Sequence, residues 1–93
     1  MFTIENANGS TYFVMREYHN HDNGGNVLLL ASLGNKTEDE IHAGASPTQY
    51  IVARDWSDKS QSWDSGKYFP CFPGEQAKAL KAAVAQFVDS IDF

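Results

Sequence analysis

The end of the chain, residues 73–93, constrains the fold more than any other stretch, because its apolar residues recur with the period of an α-helix. The apolar stripe consists of Ala77, Leu80, Val84, Phe87, Val88 and Ile91. Pro73 and Gly74 stop the helix from extending backwards, and Glu75 stands in the first turn, where an acid favours the helix dipole. A helix that is apolar on one side needs an apolar surface, which the rest of the chain must supply.

Stretches with the alternation and composition of β-strands occupy most of the preceding sequence. We expect strands at residues 2–5, 11–18, 27–33, 49–56 and 62–69. The third of these, VLLLASL, is apolar throughout, which is typical of a strand covered on both faces and predicts a central position in the sheet. The connections are short enough for antiparallel neighbours, and no alternation of strand and helix demands a parallel sheet.

Turn chemistry predicts the pairing of the first two strands. Asn8-Gly9 is typical of a two-residue hairpin turn, which would place Ile4 opposite Phe13 and Phe2 opposite Met15 on the face that receives the helix. The other face would show Tyr12, Val14, Arg16 and Tyr18.

Aromatic pairs predict the register of the last two strands. A turn closed at Ser57 and Ser62 places Trp56 opposite Trp63 and Tyr50 opposite Phe69. The same register places Asp55 opposite Asp64, and it leaves Gly66 opposite Ala53 as a shallow spot that another group can approach closely.

The sequence therefore predicts a single α+β domain over residues 1–93, an antiparallel meander of about five strands with one C-terminal helix packed on one face. Thr37-Glu38-Asp39-Glu40 fits a capping box, which favours a short helix to about His42, with a plain acidic loop as the alternative.

Composition excludes several classes of function. The net charge of -5 argues against direct nucleic-acid binding, which favours a basic patch. The single cysteine excludes an intrachain disulfide and favours a reducing compartment, so we expect a cytoplasmic protein. The N-terminal residues lack the pattern of a signal peptide, and the longest apolar run is too short to cross a bilayer, so we expect no membrane association.

Two groups of side chains have the chemistry of a metal site or a nucleophile. His19, His21 and Asp22 could bind a divalent ion, with His42 as a third imidazole, but the spacing shows no complete ligand set and favours a solvated loop. Cys71 precedes a helix start, yet a lone cysteine is more often a small buried apolar residue. We expect no catalytic residue, no metal and no cofactor.

Acidic and aromatic residues give the best candidates for binding. The predicted binding residues are Glu38, Asp39, Glu40, Asp55, Trp56, Asp58, Trp63, Asp64 and Tyr68. Tryptophan and tyrosine are enriched at interaction hot spots, and acids steer a basic partner. The alternatives are that the acids only keep the surface soluble and that both tryptophans belong to the core.

The stretch YIVARDW-x6-WDSGKYF, residues 50–69, followed by the closing helix, resembles small accessory proteins of phages and mobile elements. The resemblance covers the last half of the chain. It implies an anti-CRISPR or antirestriction protein in the cytoplasm of a host cell, which acts by occupying a nucleic-acid or partner site on a nuclease. A net charge of -5 is small for a complete DNA mimic.

We therefore expect a non-enzymatic binding protein, an inhibitor that docks on a larger protein with a basic surface, such as a nucleic-acid-binding nuclease complex. One alternative is a self-associating accessory protein, a homodimer formed through the sheet face that the helix leaves open. Another is a small metal-binding protein built on the histidine loop.

Overall fold

A computed structural model of the chain describes residues 3–19 and 25–91. Its elements, in chain order, are β1 (Thr3–Glu5), β2 (Thr11–His19), β3 (Asn26–Ser32), α1 (Glu38–His42), β4 (Gln49–Arg54), β5 (Ser65–Pro70) and α2 (Gln76–Ile91). The strands form one sheet in the order β1-β2-β3-β4-β5, and every neighbouring pair is antiparallel. The α+β meander with one C-terminal helix is confirmed.

The sheet has a core on each face, and the central strand β3 contributes to both. On the face covered by α2, the helix-side core contains Phe13, Val27, Leu29, Ala31, Leu33, Tyr50, Val52, Ala79, Ala83 and Phe87. On the opposite face, the loop-side core contains Tyr12, Val14, Leu28, Leu30, Ile51 and Ala53. Covering both faces removes more apolar surface from water than one helix alone could.

The predicted helix is present, but the face it buries is rotated from the predicted stripe. The buried residues are Ala79, Ala83, Phe87 and Ser90. Val84 is 43% exposed and Val88 50% exposed, and Ala77 is also exposed, so these three predictions are wrong. Alanines at the contact let the helix backbone approach the sheet closely, and the valines then lie on the flank of the helix.

The short helix α1 forms through the predicted capping box. The Glu40 N–H donates to Thr37 Oγ1 at 3.2 Å, and the Thr37 N–H donates to Glu40 Oε1 at 3.0 Å. Ile41 packs against the helix-side core, and the His42 ring lies edge-on to Phe13 at 5.0 Å. The helix therefore closes the end of the helix-side core at which β3 finishes.

The predicted register of the first hairpin is wrong by one residue. Ile4 pairs with Tyr12, not with Phe13, and Phe2 lies outside the described residues. The turn holds three residues, because the Asn6 N–H donates to the Ser10 carbonyl at 3.0 Å and the Asn6 side chain accepts from the Ser10 N–H. Ile4 consequently packs against the loop-side core.

A β-bulge at Met15 changes the direction in which β2 side chains point. Before it, Val14 pairs with Leu30; after it, the register shifts, and Tyr18 packs against the helix-side core. The extra residue moves Tyr18 to the other face, as bulges do. The prediction that Tyr18 shares a face with Tyr12 is therefore wrong.

The face opposite α2 is not open. Tyr12 is 7% exposed and Val14 is 6% exposed. The alternative of a homodimer was based on an open face that carries these two side chains, and they are buried. The homodimer itself stays a prediction. The covering segment is the connection between β4 and β5.

Candidate functional site

The β4–β5 connection holds both tryptophans, and its register agrees with the prediction. Tyr50 pairs with Phe69, and an isolated bridge joins Ser57 to Ser62. The rings of Trp56 and Trp63 lie 6.0 Å apart between centroids, at a tilt of 42°. The aromatic pairs that predicted this register are therefore formed.

The start of the connection is fixed by β3. Asp55 has φ 60°, in the left-handed region, and this residue redirects the chain as β4 ends. Asn26 holds the next residue: its Oδ1 accepts from the Trp56 N–H at 2.7 Å, and its Nδ2 donates to the Trp56 carbonyl at 3.0 Å. The sequence analysis missed Asn26, because nothing local marks an asparagine as the partner of a backbone thirty residues away.

The far part of the connection is fixed by the first hairpin. The Ala7 N–H donates to the Gln61 carbonyl at 2.9 Å, and the Gln61 N–H donates to the Ser57 carbonyl at 2.8 Å. Since the connection is held at β3 and at the β1–β2 turn, it lies across the sheet between them. Trp56 and Trp63 pack against the loop-side core. The connection therefore covers the second face as α2 covers the first.

Gly66 gives the Trp63 indole its place. A Cβ atom at residue 66 would lie 2.9 Å from Trp63 Nε1, so the absence of a side chain lets the ring approach the strand. Gly66 pairs with Ala53, as predicted, and the group that occupies the predicted shallow spot is the indole. Trp63 Nε1–H donates to the Tyr68 hydroxyl at 3.2 Å, and the ring is edge-on to Tyr12 at 5.4 Å.

The two tryptophans belong to the core and to the surface at once. Both are half-buried, and Tyr68 beside them is 52% exposed. The Trp56 indole N–H donates to Asp58 Oδ1 at 2.7 Å. We call the patch formed by Trp56, Asp58, Trp63 and Tyr68, together with Asp55 and Asp64, the aromatic surface.

Carboxylates of the aromatic surface are available to a partner. Asp55, Asp58 and Asp64 are all exposed, and none makes an ion pair within residues 3–19 and 25–91. Lys59 belongs to the same connection, whereas Lys67 pairs with Val52 of the helix-side core and therefore lies on the α2 side of the sheet.

The other predicted acids lie elsewhere and have local roles. Glu40 caps α1, and Glu38 Oε1 lies 3.6 Å from His42 Nε2. These residues follow β3, whereas Asp55 follows β4 at the opposite end of the sheet, about 20 Å away for a six-residue strand. Asp39 is exposed on α1. The fold therefore separates the nine predicted binding residues into two groups.

A cleft of about 220 Å³ borders the aromatic surface. Trp63 forms one wall, and Asn6, Asn8 and Gln61 bring side-chain amides to it. The sequence could not predict this cleft, because it depends on the contact between the first hairpin and the β4–β5 connection.

The histidines do not gather in the described part of the chain. His19 Nε2 lies 3.2 Å from Glu17 Oε2 at the end of β2, while His42 lies beside Phe13, six residues or about 20 Å further back along that strand. His42 therefore cannot join His19 as a ligand. His21 and Asp22 lie outside the described residues, and those that are described contain no group of three metal-binding side chains.

Cys71 is half-buried beside Ser46. Burial raises the pKa of its thiol above the ordinary 9.0, an effect that a hydrogen bond with Ser46 partly offsets. A raised pKa keeps the thiol protonated at neutral pH, which is the opposite of what an activated nucleophile needs.

Comparison of the chain with protein-family models, with curated proteins and with solved structures gives no match. The resemblance of residues 50–69 to phage accessory proteins stays a prediction. Among the described residues, no helix is both long enough and apolar enough to cross a membrane.

Proposed function

We propose that the protein is a non-enzymatic binding protein whose aromatic surface docks on a basic segment of a larger protein. The observation that carries the proposal is the placement of two half-buried indoles and an exposed phenol beside carboxylates without ion-pair partners among the described residues. Tryptophan and tyrosine dominate interface hot spots. An arginine or lysine of the partner can pair with a carboxylate and lie over an indole face.

The surface is also preorganised. Hydrogen bonds from Asn26 fix Trp56, and Gly66 and Tyr68 hold the Trp63 indole. Side chains that are already ordered lose less entropy on binding, so more of the contact energy remains as affinity. This arrangement supports docking on a folded surface or a short exposed segment.

For the partner, the sequence resemblance favours a CRISPR or restriction nuclease, with the protein acting as its inhibitor. A surface that binds nucleic acid carries the lysines and arginines that the aromatic surface would contact. The direct test is a DNA-cleavage assay with such a nuclease. We expect inhibition that weakens as salt rises, because ion pairs between exposed groups are screened.

The structure allows a charge-matched test of the surface. The triple variant Asp55→Asn/Asp58→Asn/Asp64→Asn removes three charges from the aromatic surface. The control Glu38→Gln/Asp39→Asn/Glu40→Gln removes three from α1 at the other end of the sheet. The probe is a fluorescent peptide of alternating arginine and glycine, with affinity followed by anisotropy. We expect Kd to rise about tenfold to a hundredfold for the first variant, because each exposed pair contributes about 0.5–1 kcal/mol.

The control variant should bind like the wild type. An equal loss in both variants would show that only net charge matters and would contradict docking at the aromatic surface. Affinity that is the same at 50 and 300 mM salt would remove the role given to the carboxylates. Trp56→Phe should also weaken binding, and circular dichroism shows whether each variant is folded.

A further inference from the structure

A second, larger cleft lies at the end of the sheet where β3 finishes and β4 begins. Its volume is about 740 Å³, within the range of small-molecule sites. Three connections form its walls: the turn after β3, the segment before β4 and the segment that joins β5 to α2. It is separate from the aromatic surface, so its test is independent of the proposed function.

Backbone hydrogen bonds hold these walls together. The Thr48 N–H donates to the Ser32 carbonyl at 3.0 Å, and the Cys71 N–H donates to the Thr48 carbonyl at 3.1 Å. Gly34 has φ 62°, and a Cβ there would lie 2.7 Å from Thr48 Oγ1, so a glycine at residue 34 suits both the backbone conformation and the position of the Thr48 side chain. The cleft is therefore built into the fold.

Among the described residues that line the cleft, Lys36 alone is charged. Its side chain is half-buried and makes no ion pair within the part of the chain that the structure describes. A lysine partly withdrawn from water without a counter-charge favours an anionic group beside it. Gln76 adds a donor, because only one of the two hydrogens on its Nε2 is needed for the bond to the Tyr50 hydroxyl, whereas the hydroxyls of Ser46 and Thr48 already donate to the Pro47 and Ser32 carbonyls.

Part of the lining is apolar. Phe72 is 61% exposed, although a phenylalanine gains by leaving water, and Pro47, Pro73 and Ala77 lie in the same lining. A ligand with an apolar body would cover the Phe72 ring. A lining that contains one cationic side chain and several apolar ones matches a molecule that has both an anionic group and an apolar body.

We propose that this cleft binds small-molecule carboxylates that carry an apolar ring or chain, with the carboxylate at Lys36 and the apolar part against Phe72. The proposed ligand site lies at the end of the sheet where β3 finishes, and the aromatic surface lies at the opposite end, on the β4–β5 connection.

Cys71 provides the assay, because it lines the cleft and is the single cysteine of the chain. The probe is 4-phenylbutyrate, and the readout is its protection of Cys71 against the neutral reagent iodoacetamide. The uncharged 4-phenylbutyramide has nearly the same shape and should bind at least tenfold more weakly. Acetate and inorganic phosphate carry charge without an apolar body and should also bind at least tenfold more weakly.

Variants separate the two parts of the site. Lys36→Met keeps the aliphatic stem and should raise the Kd of phenylbutyrate at least tenfold, whereas Lys36→Arg should keep binding. Phe72→Ala should raise the Kd of phenylbutyrate about fivefold. Lys81→Met, on the exposed side of α2, is the matched control and should leave the Kd of phenylbutyrate unchanged. Circular dichroism and amide chemical shifts of Gly34 and Gly74 show that each variant is folded.

The proposal is overturned if phenylbutyrate gives no saturable protection up to 20 mM. It is also overturned if Lys36→Met binds like the wild type, or if the amide binds as well as the acid. Equal protection by acetate or phosphate would show that the apolar wall has no role, which contradicts the ligand class proposed.

Discussion

Gly66 offers the sharpest test of how the second face of the sheet is covered. In Gly66→Ala, the new Cβ would lie 2.9 Å from Trp63 Nε1, 3.1 Å from the Tyr68 hydroxyl oxygen and 3.2 Å from Tyr68 Cζ. Favourable contacts between carbon atoms lie at about 3.5–4.0 Å. The indole would therefore have to move away from the strand, which breaks its hydrogen bond to Tyr68 and uncovers part of the loop-side core.

The expected cost follows from these contacts. Overpacking of this kind costs about 1–3 kcal/mol, and a lost hydrogen bond about 1 kcal/mol. Replacing glycine with alanine in a strand returns about 0.5–1 kcal/mol of backbone entropy. We expect the free energy of unfolding to fall by about 2 kcal/mol, which lowers Tm by about 8–16 °C for a domain of this size.

The measurement is urea denaturation followed by circular dichroism, combined with a double-mutant cycle. Trp63→Ala alone should cost about 2–3 kcal/mol, less than a fully buried tryptophan, because the side chain is half-buried. In that background Gly66→Ala meets no indole, and the exposed Tyr68 ring, no longer hydrogen-bonded to residue 63, can move away from the new Cβ. The substitution should then be neutral or stabilise by about 0.5–1 kcal/mol. If Gly66→Ala costs about 2 kcal/mol in both backgrounds, the steric reasoning is refuted. Ser65→Ala, an exposed neighbour on the same strand, is the control.

Three further predictions concern other contacts. Asn26→Ala should lower the free energy of unfolding by about 2 kcal/mol, since it removes two hydrogen bonds to Trp56, while the exposed Asn8→Ala should change it by less than about 0.5 kcal/mol in the same urea titrations. Thr37→Ala should cost about 1 kcal/mol by removing the N-cap, whereas Glu40→Gln keeps an oxygen acceptor for the cap and should leave Tm nearly unchanged. Burial raises the pKa of Tyr50 above the ordinary 10.0, partly offset by a hydrogen bond with Gln76, so the folded protein keeps this proton longer than the unfolded chain does. The contribution of Tyr50 to stability is therefore complete below about pH 10 and is lost as pH rises further. Tyr50→Phe should flatten this decline in Tm, and the comparison is made in a Cys71→Ala background because burial raises the pKa of that thiol as well.

Elements set by local pattern were predictable from the sequence. The β4–β5 register followed from pairing Tyr50 with Phe69, and the α1 cap followed from Thr37 and Glu40, because each signal lies within a few residues or across one turn. The existence of α2 was equally clear. Its buried face was not, since alanine occurs on every side of this helix and nothing in the sequence marks Ala79 and Ala83 as the ones that contact the sheet.

Features that depend on distant or single residues could not be predicted. The first turn gained a residue because the Asn6 side chain accepts a backbone hydrogen bond, and the bulge at Met15 has no sequence signal. The site shows the same limit. Its aromatic residues were found from the sequence, but their position over the second face depends on Asn26 and on the contact between Ala7 and Gln61.

The segment that covers the loop-side core also carries the indoles of the proposed binding surface, so the proposal links recognition to folding. A substitution at Trp56 or Trp63 should lower both the affinity for the proposed partner and the free energy of unfolding. Natural variants at these two residues should therefore arise together with compensating changes in the strands beneath. A bound partner, conversely, would stabilise the β4–β5 connection over the loop-side core. Amide hydrogen exchange in β3 and β4 would then slow, although the partner contacts neither strand.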